Sequence, residues 1–205
     1  MSHSRAPRGI LLAAGAMASA LALTACSGGP KGTSGGGGDT NFVTNTGGIS
    51  TIAEGERPAI NGIAGETLDG GRLDVADLKG KVVVLNVWGW WCNPCRAEAK
   101  HFVKVANDLK PKGVEFVGLN TRSTEKIRSV AFEKEFGVPY PSLYDPYGKI
   151  ILNGFPKGVV QPNAIPSTVV LDREGKIAAR SLKALSEKEL RSMIEPVLAE
   201  KAGGQ

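Results

Sequence analysis

Several things are scarce in this chain, and each scarcity excludes something. No apolar run is long enough to span a bilayer as a helix. The longest, Gly9 to Leu23, is about 15 residues, against the roughly 20 that a spanning helix needs. With 41% hydrophobic residues, the chain is too polar for a multi-span membrane protein and apolar enough for a packed core. Charge of one sign is also scarce: the formal total is +5. Setting aside Arg5 and Arg8, the only charged residues before Cys26, leaves 23 − 20 = +3, with no clustered basic face to argue for nucleic acid. No internal repeat is visible. Histidine is nearly absent. Beyond Cys26 only Cys92, Cys95 and His101 could join carboxylates at a metal, short of the about four ligands of a structural zinc site, so no metal is expected. Cysteine itself comes to three residues, Cys26, Cys92 and Cys95. In an exported protein an odd count leaves one thiol to be explained.

The leftover thiol is Cys26. Residues 1–25 open with Arg5 and Arg8, continue with the apolar run, and end in Leu23-Thr24-Ala25 just before that cysteine. This is the layout of an export signal. The Leu-Thr-Ala-Cys end resembles a bacterial lipobox. That resemblance implies cleavage before Cys26 and a lipid on Cys26 as the first mature residue, hence attachment to the extracytoplasmic face of the cell membrane. Residues 26–50 are dominated by Gly, Ser, Thr and Asn, including four successive glycines at 35–38. Such a composition buries too little to offset its ordering entropy, so a flexible tether is expected. Outside the cytoplasm, disulfides persist.

Residues 51–205 read as the folded domain. Ala59–Ala64 and Arg72–Val75 predict a hairpin around Asp69-Gly70-Gly71. The Lys81–Trp88 run is almost wholly apolar, as in a central strand covered on both faces. A helix is expected from near Cys92, with Ala99, Phe102, Val103, Ala106 and Leu109 at helical spacing, ending before Pro111 and Gly113. Val114–Leu119 predicts a second buried strand, and Thr124–Phe136 a second helix stopped by Gly137. Thr168–Leu171 with Ile177–Ser181 predicts a hairpin turning at Glu174-Gly175. Ser186 through Glu189 is a capping box opening the last helix. The pattern is that of an α/β layered fold.

The chemistry concentrates at Cys92-Asn93-Pro94-Cys95. Two cysteines three apart at a strand-to-helix junction can bring both sulfurs to the helix start. There the first sulfur faces unpaired backbone N–H groups and the positive end of the helix dipole, which favour a thiolate. The thiolate is the attacking species in disulfide exchange. Cys92 is therefore expected to be the exposed attacker and Cys95 the resolving thiol. Pro94 fits the first helical turn, where its missing N–H costs little.

The sequence Trp91-Cys92-Asn93-Pro94-Cys95 after KVVVLNVWGW resembles the thioredoxin superfamily, in particular its TlpA/ResA-like branch. Further matches are Asp77-Leu78-Lys79-Gly80-Lys81, Arg96-Ala97-Glu98, Gly137-Val138-Pro139, Ile165-Pro166-Ser167-Thr168 and Leu171 through Lys176. The likeness runs from about Ala59 to Val197. It implies a thioredoxin-like fold, a mixed central sheet flanked by helices with an N-terminal hairpin extension. It implies dithiol–disulfide exchange with no cofactor beyond a redox-active Cys92–Cys95 disulfide. Pro166 matches the family's cis-proline, which with Ile165 meets the substrate beside Trp91, Asn93 and Pro94. Glu98 matches an acid held near the cysteines, able to tune a thiol or move a proton; its other reading is a solvated first-turn glutamate. Asn86 stands where thioredoxin keeps a buried acid, which shifts that role to Glu98. Trp88 is expected in the core, while Trp90 is balanced between core and rim. The segment 153–163 either shapes the substrate groove or is a neutral loop.

The resemblance further implies reduction of exported disulfide-bearing proteins, apocytochrome c among them, with electrons from a membrane thiol–disulfide donor. No oligomer signal is present, so a monomer is expected. Three alternatives stay open: a disulfide oxidase or isomerase on the same scaffold, a peroxidase, and a non-enzymatic lipoprotein binding module. The peroxidase reading fits least. Peroxidase relatives carry Thr or Ser three residues before the reactive cysteine and a proline further upstream. Here that position is Gly89, and no proline lies between Pro58 and Pro94.

Overall fold

The computed structural model describes residues 41–45 and 47–200. The expected signal segment 1–25, Cys26 and most of the expected tether lie outside the described residues. The chain forms strands β1 (Val43–Thr44), β2 (Ile49–Thr51), β3 (Ala64–Glu66), β4 (Arg72–Asp74) and β5 (Val82–Trp88). Helix α1 (Asn93–Leu109), strand β6 (Val114–Thr121), helix α2 (Lys126–Phe136), strand β7 (Ser142–Asp145) and helix α3 (Lys149–Gly154) follow. Strands β8 (Ser167–Leu171) and β9 (Ile177–Ser181) and helix α4 (Glu187–Ala199) complete it. Seven strands make one mixed sheet in the order β1-β2-β9-β8-β5-β6-β7, and β3 and β4 pair separately. The β5, β6 and β7 strands run parallel, while β8 is antiparallel to β5.

Every residue of β5 is buried, because the sheet is covered on both faces. The strand's period of two sorts its side chains. Val83, Leu85 and Val87 join Ile151, Phe155, Val159 and Val160 in one core layer. Val82 and Val84 face Phe102, Val105, Ala106 and Leu109 of α1 and Leu190, Met193, Ile194 and Val197 of α4 in the other. The alternation also puts Asn86 on the α1 side of the sheet. Where β5 ends, Trp88 stacks on Phe132 of α2, ring centroids 4.5 Å apart. Helix α4 opens with the expected capping box, Ser186 and Glu189 each bonding the other's backbone. Helix α2 stops at Gly137, which takes the left-handed conformation at φ 65°.

Several expectations need correction. Ordered structure does not wait for Thr51: β1 and β2 pair with each other, and β2 pairs with β9 (Ile49↔Ser181, Thr51↔Ala179). Phe42 and Ile49 are both buried. These strands are too short and polar to show a period of their own, and the edge of β9 supplies their reason to form. The first hairpin strand is β3 rather than Ala59–Ala64; Ala59 makes only an isolated bridge to Lys176. In α1, Val105 takes the core place expected of Val103. Strand β7 and helix α3 form within the Pro- and Gly-rich passage where no element was expected. Within the 153–163 segment Phe155, Val159 and Val160 are core residues.

Candidate active site

The site grows from the end of β5. After Trp88 the chain turns through Gly89, and Cys92 N–H closes the turn onto Gly89 O at 3.1 Å. Cys92 is the N-cap of α1, with extended backbone (φ −83°, ψ 104°). Its Sγ accepts a hydrogen bond from Cys95 N–H at 3.2 Å, as a Ser or Asp side chain does at other helix starts. Pro94 lies in the first turn and Arg96 N–H reaches Cys92 O at 3.1 Å. Cys92 and Cys95 are joined in a disulfide, Cα atoms 5.2 Å apart. Cys92, expected to be exposed, shows only 4% of its surface, against 2% for Cys95. Both cysteines belong to a cluster with Leu68, Trp88, Ala99 and Phe132. What faces solvent is Trp91, Asn93 and Pro94.

Glu98 lies one helical turn after Cys95, on the same face of α1, and is 2% exposed. The reading as a solvated glutamate is thereby overturned. Its Oε1 accepts from Asn86 Nδ2 at 3.0 Å and its Oε2 from Leu185 N–H at 3.0 Å. Burial pushes its carboxyl up to about 7, against the pull of those two donors. Thr168 sits directly across from Asn86 in the β5–β8 ladder, with a buried, unpartnered hydroxyl. A small void beside the disulfide is lined by Asn86, Trp88, Cys95, Ala99, Phe132, Val138 and Tyr140.

The Ile165–Pro166 peptide bond is cis. Ile165 packs against the cluster that holds the cysteines, and Pro166 is buried at the start of β8. The three tryptophans divide. Trp88 is core, 4% exposed, its Nε1 donating to Ser142 Oγ at 3.3 Å. Trp90 is half-buried and pinned by Nε1 to Ser123 Oγ at 2.8 Å. Trp91 is 38% exposed, its Nε1 donating to Arg122 O at 3.0 Å. Its indole lies over Gly89, where an added Cβ would come within 3.0 Å of Nε1 and 3.3 Å of Thr121 O. The Thr or Ser of peroxidase relatives would fit there only if the Trp91 ring gave way. Sequence reasoning missed Leu185 and Arg122. Leu185 lies 87 residues from Glu98, and acts through its backbone, so no local signal could have found it.

The AhpC/TSA family model matches residues 57–180, a span that holds Cys92, Cys95, Glu98 and Pro166. The chain belongs to the AhpC/TSA family. Within it, the chain is similar to the thiol-disulfide oxidoreductase ResA of Bacillus cereus, 30% identical over 130 residues, which are 63% of this chain and 71% of that one. Among solved structures it is similar to a DsbF homologue from Corynebacterium diphtheriae, at 35% identity and TM-score 0.68, covering 78% of this chain and 99% of that one. It is also similar to a secreted thiol-disulfide isomerase from Corynebacterium glutamicum, at 29% identity and TM-score 0.71, covering 80% and 100%. The fold is thioredoxin-like, and this AhpC/TSA member is a thiol–disulfide oxidoreductase.

Proposed function

We propose that this protein is a membrane-tethered, extracytoplasmic reductant of disulfides in exported proteins, working as a monomer without a cofactor. Cys92 is the attacking thiolate and Cys95 the resolving thiol. Cys92 sulfur attacks one sulfur of the substrate disulfide and the other leaves. Cys95 then attacks the mixed disulfide, releasing the substrate dithiol and leaving the Cys92–Cys95 disulfide. Two electrons and two protons pass to the substrate, and a membrane thiol–disulfide donor restores the dithiol. Glu98 takes the proton of Cys95 as it attacks. Ile165, Pro166, Trp91, Asn93 and Pro94 form the face that meets substrate, and lipid on Cys26 holds the chain at the membrane. Apocytochrome c, whose haem-site thiols must be reduced, is the substrate the ResA likeness points to. Relatives described as secreted proteins support the location.

The observation that carries this reading is the disulfide at the start of α1 with a buried, protonatable acid one turn behind it. A strong oxidant owes its potential to a stabilised reduced form. The second reading, an oxidase or isomerase, is favoured by the names of the isomerase and DsbF neighbours. The reduction potential of the Cys92–Cys95 pair, equilibrated against thiol buffers, decides between them. A value at or below about −240 mV supports the reductant, and one above about −180 mV the second reading. If no reversible disulfide forms, both fall and a binding module takes their place; Cys92→Ser reducing substrate at the wild-type rate would overturn the role given to Cys92.

A further inference from the structure

Four cations near the disulfide lie on aromatic faces. The Arg96 guanidinium is 5.1 Å from the Phe136 ring, Arg122 5.1 Å from Trp91, Lys126 5.4 Å from Tyr144 and Arg128 4.6 Å from Trp90. Three also hold a carboxylate: Arg96 with Glu135 at 2.6 Å, Lys126 with Glu66 at 2.5 Å and Arg128 with Glu125 at 2.6 Å. Arg122 differs, forming no ion pair among the described residues, and it is exposed.

Its backbone is also singular. Arg122 follows the last residue of β6 with φ 52°, the one non-glycine in the left-handed region among the described residues. That conformation is uncommon for a side chain with a Cβ and persists where its surroundings enforce it. Its effect here is specific. The turned backbone presents Arg122 O to Trp91 Nε1, and the guanidinium lies over the same indole. Trp91 is thus held from two directions, over a floor that Gly89 keeps flat. The residue immediately before Cys92 therefore carries an uncompensated positive charge on its exposed ring.

We propose that Arg122, seated on Trp91, makes this rim selective for exported polypeptides whose reacting cysteine is flanked by aspartate or glutamate. The carboxylate would pair with the guanidinium while the adjacent chain lies on the indole. The apolar face of Trp91 strengthens the pair by keeping water from one side of it. This rests on the exchange role assigned to Cys92, and the test separates the two.

Purified protein is pre-reduced and mixed, in single turnover, with two peptides bearing the same internal disulfide, one flanked by glutamates and one by lysines. The dithiol form passes its two electrons to the peptide, so no further donor is needed. The expected result is a rate preference for the acidic peptide of about three- to fivefold, the worth of one exposed ion pair. The preference should vanish near ~1 M salt, where the Debye length is about 3 Å. Arg122→Gly suits the left-handed backbone and should keep the melting temperature at or above wild type while abolishing the preference. Arg122→Glu should invert it, and Arg122→Gln gives a second neutral variant. Equal rates for both peptides in wild type, or a preference that survives in Arg122→Gly and Arg122→Gln, overturns the proposal. Failure of wild type to reduce either peptide sinks the exchange reading instead.

Discussion

Replacing Glu98 by glutamine tests the centre of the site. In the folded protein the carboxyl titrates near 7 rather than at its ordinary 4.5. The folded state therefore holds the proton more tightly than the unfolded chain does. Below pH 4.5 both states are protonated and the site costs nothing extra. Between 4.5 and 7 the unfolded chain ionises while the folded one resists, so stability falls as pH rises, and above 7 the loss is complete. At about 1.4 kcal/mol for each tenfold difference in proton affinity, the loss is about 3 kcal/mol.

Glutamine cannot ionise, so it should remove this slope. Its amide needs an acceptor where Oε1 now receives Asn86 Nδ2. Turning the Asn86 amide over provides Oδ1, and the freed Nδ2 can find the unpartnered Thr168 hydroxyl across the ladder. Glu98→Gln should thus match wild type within about 1 kcal/mol near pH ~4.5 and exceed it by about 2–3 kcal/mol near pH ~8. Urea unfolding of the oxidised protein across this range measures both. Glu133, half-buried and also raised by burial, contributes in the same direction, so the decisive quantity is the difference between wild type and Glu98→Gln. A variant that keeps the full wild-type slope would refute the assignment of the buried charge to Glu98.

Other expectations follow from the same structure. Cys95→Ser should accumulate a mixed disulfide between Cys92 and a substrate protein, detectable on non-reducing gels, while Cys92→Ser should not. Gly118→Ala would drive a Cβ into Ser142 Oγ and set it 2.7 Å from Trp88 Nε1; breaking that contact under the site should cost about 1–3 kcal/mol in urea melts. Ser186→Ala removes the side-chain half of the capping box, leaving the Glu189 carboxylate on the backbone N–H of residue 186, and should cost about 1 kcal/mol. Arg57 is buried between Asp172 at 3.1 Å and Glu200 at 2.6 Å. Arg57→Ala removes the partner of Asp172 Oδ2 and of the partly exposed Glu200, while Asp172 keeps the N–H groups of Glu174 and Lys176, and should cost about 1.5–3 kcal/mol in urea melts.

What the sequence displayed was whatever is specified locally. The β5 run, the Cys92–Cys95 spacing, the Gly137 stop and the Ser186 capping box each carry their cause within a few residues, and each lies where expected. Elements whose cause is distant were hidden. Strands β1 and β2 exist because β9 offers them an edge, and β7 because β6 does. Glu98 shows the limit within the site itself: its likeness to a family acid was readable, but its burial depends on Asn86 across the layer and on Leu185 87 residues away. Arg122 had no motif at all, only a place at the end of a parallel strand.

The hydrogen bond from Cys95 N–H to Cys92 Sγ makes one atom both the chemical tool and the anchor of the first turn of α1. Chemistry and architecture at this position are therefore separable by a single exchange of element. Oxygen in place of sulfur keeps an acceptor for the helix and forfeits the electrons, whereas a methyl group forfeits both. A serine at 92 is accordingly the silent twin of the working enzyme, the same body unable to carry a bond away. Alanine at the same place would confound a lost reaction with a frayed helix.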